Sequence, residues 1–332
     1  MRAIRRSLML ATLLLSAAGA TPAAAAACSG LQIIDSYEIT WLPSGRPAIT
    51  VAIADTPRSM LADTGGAVSS ITQQTVQELG LTATRSNRGL RGVNGAVTNL
   101  LARLPSIAIG RLQQKNALYY VLPDSAGMNE FDGILGGEFF KQYDTDLDFT
   151  TGKLNLFVQD HCPGQVVYWP NTGVAVVPFR TDDSNHITFR VTLDDKQFEA
   201  MLDTGASSTT LNLNDARRIF SVDVNAPDVE KVGELAGGFT ASIYRRQFKT
   251  LAFEGVTIDN PMITLLPDMM NGAVGPQSQT GSLVGSRGGL PSLILGMSTM
   301  EDMHIFVSYK ERKLYITAGN PQPAPQGKNA AQ

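Results

Sequence analysis

The chain has 332 residues, enough for two modest domains, with 27 basic and 30 acidic side chains and a formal net charge of −3. That near-balance, with no basic face, argues against nucleic acid as a partner. Only two cysteines and three histidines are present. His161, His186 and His304 lack metal-ligand spacing, so surface or interlobe packing is the reading for each, and no metal or cofactor is expected.

Residues 1–27 read as an export signal. Met1 to Arg6 is a basic n-region, Leu8 to Ala18 an apolar core, and Ala23 to Ala27 offers Ala-x-Ala cleavage sites. The core is too short to span a bilayer, and no later stretch is apolar enough. Arg5-Arg6 is not directly preceded by Ser or Thr, which favours the general secretory route over twin-arginine export. The mature protein is expected to be exported, periplasmic or secreted, and soluble. An oxidising compartment makes a disulfide between Cys28 and Cys162 the preferred pairing. The alternative is a lipid anchor on Cys28, which lacks the usual large aliphatic residue three positions earlier and would leave Cys162 unpaired.

Beyond the signal, abundant Gly, Thr, Val and Ile with little Lys fit an all-β chain. Leu31 to Tyr37 reads as a first strand, followed by a turn at Pro43-Ser44-Gly45. Ile49, Val51 and Ile53 alternate with smaller residues as a half-buried strand does. Asp55-Thr56-Pro57 turns the chain, and Arg58 to Ala62 leads into Asp63-Thr64-Gly65. Thr72 then caps a helix over Gln73 to Leu79, which Gly80 ends.

The same order returns in the second half. Ile187, Phe189, Val191 and Leu193 alternate, Asp194-Asp195-Lys196 turns, and Gln197 to Leu202 leads into Asp203-Thr204-Gly205, an offset of 140 residues from the first copy. Asn212 caps Leu213 to Phe220. Leu104 to Asp124 matches Phe248 to Asp268, and Ile134-Leu135-Gly136 matches Ile294-Leu295-Gly296. Lys153 to Leu156 matches Lys313 to Ile316. This is one unit written twice, not a solenoid, since each copy is large enough for its own core. The expected boundaries are 28–162 for an N-terminal lobe and 163–318 for a C-terminal lobe, with a disordered Pro-rich tail at 319–332. The main insertion, near Met270 to Gly289, reads as a mobile surface loop.

The duplicated tripeptide carries the chemistry. One Asp-Thr-Gly arises by chance in roughly one chain in fifteen of this size, and two in well under one in a hundred, so the pair is the signal. Hydrolysing a peptide bond without metal or covalent intermediate needs a base to activate water and an acid to protonate the carbonyl. Two carboxyls held together supply both, because like charges that close do not both stay ionised. Asp63 and Asp203 are therefore the catalytic candidates. Gly65 and Gly205 allow a tight turn and close approach to the partner loop, and Thr64 and Thr204 are placed to hydrogen-bond across the interface. Ser69, Ser70, Ser207 and Ser208 are candidates to support the carboxylates. No Gly-x-Ser-x-Gly elbow or phosphate-binding loop is present, and Trp41 and Trp169 read as packing residues.

On these motifs the chain resembles the retropepsin-like aspartic proteases, in the bacterial form with two fused lobes. Asp132 to Gly136 and Leu293 to Met297 match that family's second motif, in which Gly136 and Gly296 underlie the catalytic loops. The Gly-rich stretches containing Gly92 and Gly95, and Gly237 and Gly238, fall where the family carries its flaps. The resemblance covers Leu31 to Ala318. It implies two pseudo-symmetric β-barrel lobes with an interlobe cleft, an extended peptide or protein as substrate, and a monomer that builds its dyad from one chain. Gly66 departs from the family's usual Ala or Ser, and no basic prosegment fits between Cys28 and the first strand. The function expected is exported aspartic endopeptidase; the alternative is a catalytically retired protein of the same fold that binds peptide or a partner protein.

Overall fold

The computed structural model describes residues 28–91, 97–122, 129–170, 173–235, 241–267 and 291–319. The signal segment 1–27, the flap glycines Gly92, Gly95, Gly237 and Gly238, the insertion at 270–289 and the tail from 320 lie outside the described residues. The fold is all-β, two barrel-like lobes joined by a third, shared sheet.

In the first lobe the strand Pro47–Ile53 buries Ile49, Val51 and Ile53, as their alternation dictates. It pairs with Thr56–Ala62 on one side and with Val97–Ile109 on the other, which closes the sheet on itself. Gly133–Leu135 runs parallel beside Thr56–Ala62 and antiparallel to Ser70–Thr72. In the second lobe Ile187–Leu193, Lys196–Leu202, Thr210–Asn212 and Leu293–Leu295 repeat these pairings.

The long strands Val97–Ile109 and Leu112–Leu122 of the first lobe are each broken in the second, at Phe248-Lys249 and at Asn260-Pro261. Asn116 and Asn260 occupy matching places and share left-handed backbone, with φ of 54° and 53°. Only the second is followed by proline, which has no N–H to continue the ladder.

The first tight turn lies one residue earlier than the sequence reading, and the second lies within the stretch expected. They fall on Ala54-Asp55 and Asp194-Asp195, all four residues having positive φ. Thr56 and Pro57 already pair in the strand. A two-residue hairpin that matches strand twist needs left-handed backbone at both central positions, and here non-glycine residues supply it. In the second turn, Asp194 accepts hydrogen bonds from the amides of Lys249 and Thr250 at 2.7 and 2.9 Å.

The two caps lie where the sequence puts them. Thr72 Oγ1 accepts from Thr75 N at 3.2 Å at the head of helix Gln73–Glu78, which ends one residue earlier than expected, and Gly80 leaves it with φ of 60°. Asn212 Oδ1 accepts from Asn214 and Asp215 at the head of Leu213–Phe220.

The shared sheet runs Ile33–Glu38, Lys153–Phe157, Asp144–Asp148, Met303–Ser308, Lys313–Ala318, Ala175–Pro178. Its centre pairs the halves directly, Asp146 opposite Phe306, which are equivalent positions in the repeat. One face adds Leu147, Leu154, Ile305 and Leu314 to a hydrophobic core that spans both lobes. The other face buries Asp144, Asp146 and His304 beneath residues 158–170. Asp144 accepts from His161 Nε2 at 2.5 Å, Ser308 Oγ at 2.9 Å and Tyr309 N at 2.9 Å. Asp146 bonds His304 at 2.5 Å and the Tyr168 hydroxyl, and Trp169 stacks on His304 at 3.7 Å. Cys28 and Cys162 form a disulfide that fastens this covering segment to the residues just before the first strand.

Candidate active site

Each Asp-Thr-Gly loop leaves the end of a strand that is wedged between two others. Asp63 N donates to Leu135 O and Asp203 N to Leu295 O, both at 3.0 Å, so the second motif of each lobe fixes the first. Gly136 and Gly296 lie under the loops with no room for a side chain: a β-carbon would stand 2.7 Å from Val68 C and 2.3 Å from Ser208 O. The next amides, Gly137 N and Met297 N, donate to Gly66 O and Ala206 O at 2.6 and 2.8 Å.

The two loops meet at the seam. Thr64 N donates to Thr204 Oγ1 at 3.0 Å and Thr204 N to Thr64 Oγ1 at 3.1 Å. Each hydroxyl then donates to the carbonyl that precedes the opposite aspartate, Leu202 O at 2.9 Å and Ala62 O. Both threonines are buried, so these four bonds form away from competing water.

This cross-link brings the carboxyls of Asp63 and Asp203 within hydrogen-bonding reach of each other. Asp63 Oδ1 accepts from Gly65 N at 2.9 Å and Gly66 N at 2.8 Å. Asp203 Oδ1 accepts from Gly205 N at 2.8 Å and Ala206 N at 3.1 Å. Gly66 thus keeps its supporting bond despite departing from the family pattern.

Burial raises both carboxyl pKa values, and Asp203 goes much further because the charge of Asp63 adds to its desolvation. Asp63 is held back by its bond to Asp203, by its two amides and by the positive charge of Arg46. Arg46 is fixed by Ser44 Oγ at 2.7 Å and Glu130 at 3.2 Å and lies over the Phe131 ring. The matching position of the second lobe is His186, which bonds Asp182 at 2.8 Å instead. The electrostatics of the pair are therefore asymmetric although its backbone is not.

Among the expected supports, the serines act differently from the sequence reading. Among the described residues, the carboxylates of Asp63 and Asp203 accept from backbone amides and not from the hydroxyl of Ser69, Ser70, Ser207 or Ser208. Ser69 Oγ accepts from Gly136 N at 3.0 Å, and Ser208 Oγ accepts from Thr264. The partner of Ser69 in the repeat is Thr209, whose hydroxyl accepts from Gly296 N at 3.1 Å. Glu138 and Ser298 then hold the amides of Ser69 and Thr209, at 2.6 and 3.0 Å. Thr209, Glu138, Ser298 and Arg46 escaped the sequence reading. Counting the repeat offset from Ser69 would have found Thr209; nothing local marks Arg46.

The hairpins that would carry flaps are formed, Ala83–Arg91 with Val97–Ile109 and Val229–Leu235 with Ala241–Gln247. Trp41 is 41% exposed and packs on Phe149 at 6.1 Å, while Trp169 donates to Thr317.

Two β lobes that each deliver an Asp-Thr-Gly loop to a common seam define the acid-protease class of fold. The profile of the family described as Aspartyl protease matches residues 49–139 and 189–307, more than half of the sequence and one segment in each lobe. The chain belongs to the aspartyl protease family, in a two-lobed single-chain form. No curated protein is similar enough in sequence to count as a match.

Proposed function

We propose that this chain is an exported aspartic endopeptidase in which Asp63 and Asp203 share one proton and activate a water between them. The observation that carries this reading is the meeting of the two carboxyls, each oriented by two backbone amides and joined by the Thr64–Thr204 bonds. The ionised member takes a proton from water, whose oxygen attacks the peptide carbonyl. The protonated member gives its proton to the carbonyl oxygen, leaving a neutral gem-diol. Collapse of that intermediate returns one proton to the pair and passes another to the leaving amine. Both carboxyls are raised by burial and titrate as one unit, so the shared proton belongs to the pair rather than to either acid.

The substrate is an extended peptide or an unfolded protein segment, laid along the seam beneath the two hairpins. No cofactor enters the scheme. One chain supplies both carboxyls, so the working unit is a monomer of residues 28–162 and 163–318. A disulfide supports an oxidising compartment, and among the described residues no helix is long and apolar enough to cross a membrane.

Purified protein incubated with an unstructured protein substrate from acid to neutral pH tests this reading. Cleavage that disappears in Asp63→Asn and in Asp203→Asn, and that a statine-type peptide inhibits, is the expected result. Cleavage retained in both variants rejects the dyad. A lack of cleavage at every pH favours a peptide-binding protein on the same fold.

A further inference from the structure

We propose that a basic cleft on the seam between the two halves binds one small polyanion bearing phosphate or carboxylate groups. The cleft has a volume of about 300 Å3 and is lined by Lys141, Gln159, Thr181, Asn185, Tyr309, Lys310 and Arg312. Lys141 follows helix Gly137–Phe140 of the first half, and Lys310 and Arg312 stand in the hairpin between Met303–Ser308 and Lys313–Ala318 of the second.

The three cations are poorly neutralised. Lys141 Nζ donates at 2.7 Å to the neutral amide oxygen of Asn185. Lys310 Nζ meets Asp160 at 2.9 Å, but the two side chains are 52% and 82% exposed, so water competes with that pair. Arg312 has no carboxylate partner among the described residues. Of the acidic groups nearby, Glu311 accepts from Gly164 N, Tyr315 and Lys313, and Asp182 from His186 and Ser184 N, while Asp183 is exposed to solvent. Three cations thus line one cleft, and an anion bound there offsets their mutual repulsion.

The walls are also fixed in place. Arg312 has left-handed backbone, φ 55°, and its carbonyl accepts from Phe179 N at 2.9 Å. Asn185, at φ 67°, is tied to Asp182 O and, through Nδ2, to Ala67 O at 3.1 Å. Gln159 Nε2 donates to Lys141 O at 2.9 Å. Cations held on a rigid frame need little reordering to receive an anion. The volume lies at the small end for ligand sites, which suits a pyrophosphate or a tricarboxylate rather than a length of acidic peptide.

Calorimetric titration of the purified protein with sodium pyrophosphate, with citrate and with an oligoglutamate peptide, at matched ionic strength, tests the assignment. One-to-one saturable binding is expected for pyrophosphate, citrate or both, weakened at least ten-fold in Lys141→Met and in Arg312→Met. Those side chains are exposed, and an unchanged melting curve for each variant establishes that the fold persists. A site that takes only pyrophosphate is phosphate-selective, and one that takes only citrate is carboxylate-selective; either outcome supports the proposal. No saturable binding, equal affinity in both variants, stabilisation reproduced by sodium chloride, or tighter binding of oligoglutamate than of both small anions overturns it.

Discussion

Gly65 faces Asp203 so closely that a β-carbon on it would stand 2.3 Å from the carboxyl carbon, and Gly205 meets Asp63 in the same way at 2.4 Å. Each motif thus leaves out a side chain where the opposite lobe places its acid. The constraint is steric, and it crosses the seam.

Gly65→Ala and Gly205→Ala are each expected to push the opposing carboxyl off its amides. Overpacking of this kind costs about 1–3 kcal/mol of stability. The loss of activity should be larger, on the order of a hundred-fold or more, because a misplacement of about 1 Å is enough for that. Thermal melting and the rate of peptide cleavage, measured on the same preparations, separate the two effects. A variant that retains near-normal turnover would show that the carboxyls do not need this contact.

The pH dependence follows from the direction of the Asp203 shift. Its folded pKa lies well above the usual carboxylate value because it is buried beside Asp63. An acid raised in this way binds its proton more tightly in the folded state, so its contribution to stability is greatest below the unfolded pKa of about 3.9. That contribution falls as pH rises from there through the folded value. Asp203→Asn should therefore gain stability relative to the parent as pH rises from about 4 toward neutrality, as read from melting temperatures at several pH values. The alkaline limb of the cleavage profile should likewise lie above the ordinary carboxylate range. A constant stability difference across this window would contradict the shift.

The buried polar face of the shared sheet provides a contrast between a buried hydrogen-bond network and a surface ion pair. Asp144 is fully buried and accepts from His161, Ser308 and Tyr309 N, so Asp144→Ala leaves three polar groups without their acceptor. A buried polar group left without its partner costs about 1–3 kcal/mol. Arg218→Ala breaks a pair with Asp215 in which the arginine is 70% exposed, and such pairs contribute about 0–1 kcal/mol. Denaturant unfolding of both variants checks the ordering; equal losses would mean that the buried network contributes no more than a surface pair.

The Cys28–Cys162 bridge closes a loop of 134 residues, which contains the whole first Asp-Thr-Gly lobe. Paired Cys28→Ser and Cys162→Ser substitution is expected to lower stability by about 2–5 kcal/mol. Melting with and without reductant, beside thiol titration of the denatured protein, reads this out. Protein from an oxidising compartment with two free thiols would remove the bridge and return Cys28 to other uses.

The local rules that make strands and caps were readable along the chain. Ile49, Val51 and Ile53 alternate because one face of their strand is buried, and Thr72 and Asn212 cap helices because short polar side chains satisfy free amides. The repeated order of landmarks also aligns Asp63 with Asp203 and Gly136 with Gly296 from the sequence alone, since duplication preserves order. What the sequence did not determine depends on contacts between distant residues. Asp144 meets His161 and Ser308, Ser69 serves Gly136 rather than a carboxylate, and Arg46 biases one acid of a matched pair. None of these leaves a local signal, because each arises only when distant strands pair, Ser70–Thr72 beside Gly133–Leu135 within the first lobe and Asp146 opposite Phe306 between the halves. Spacing and periodicity are properties of a segment; the pairing of two acids, and the charge around them, is a property of the closed fold.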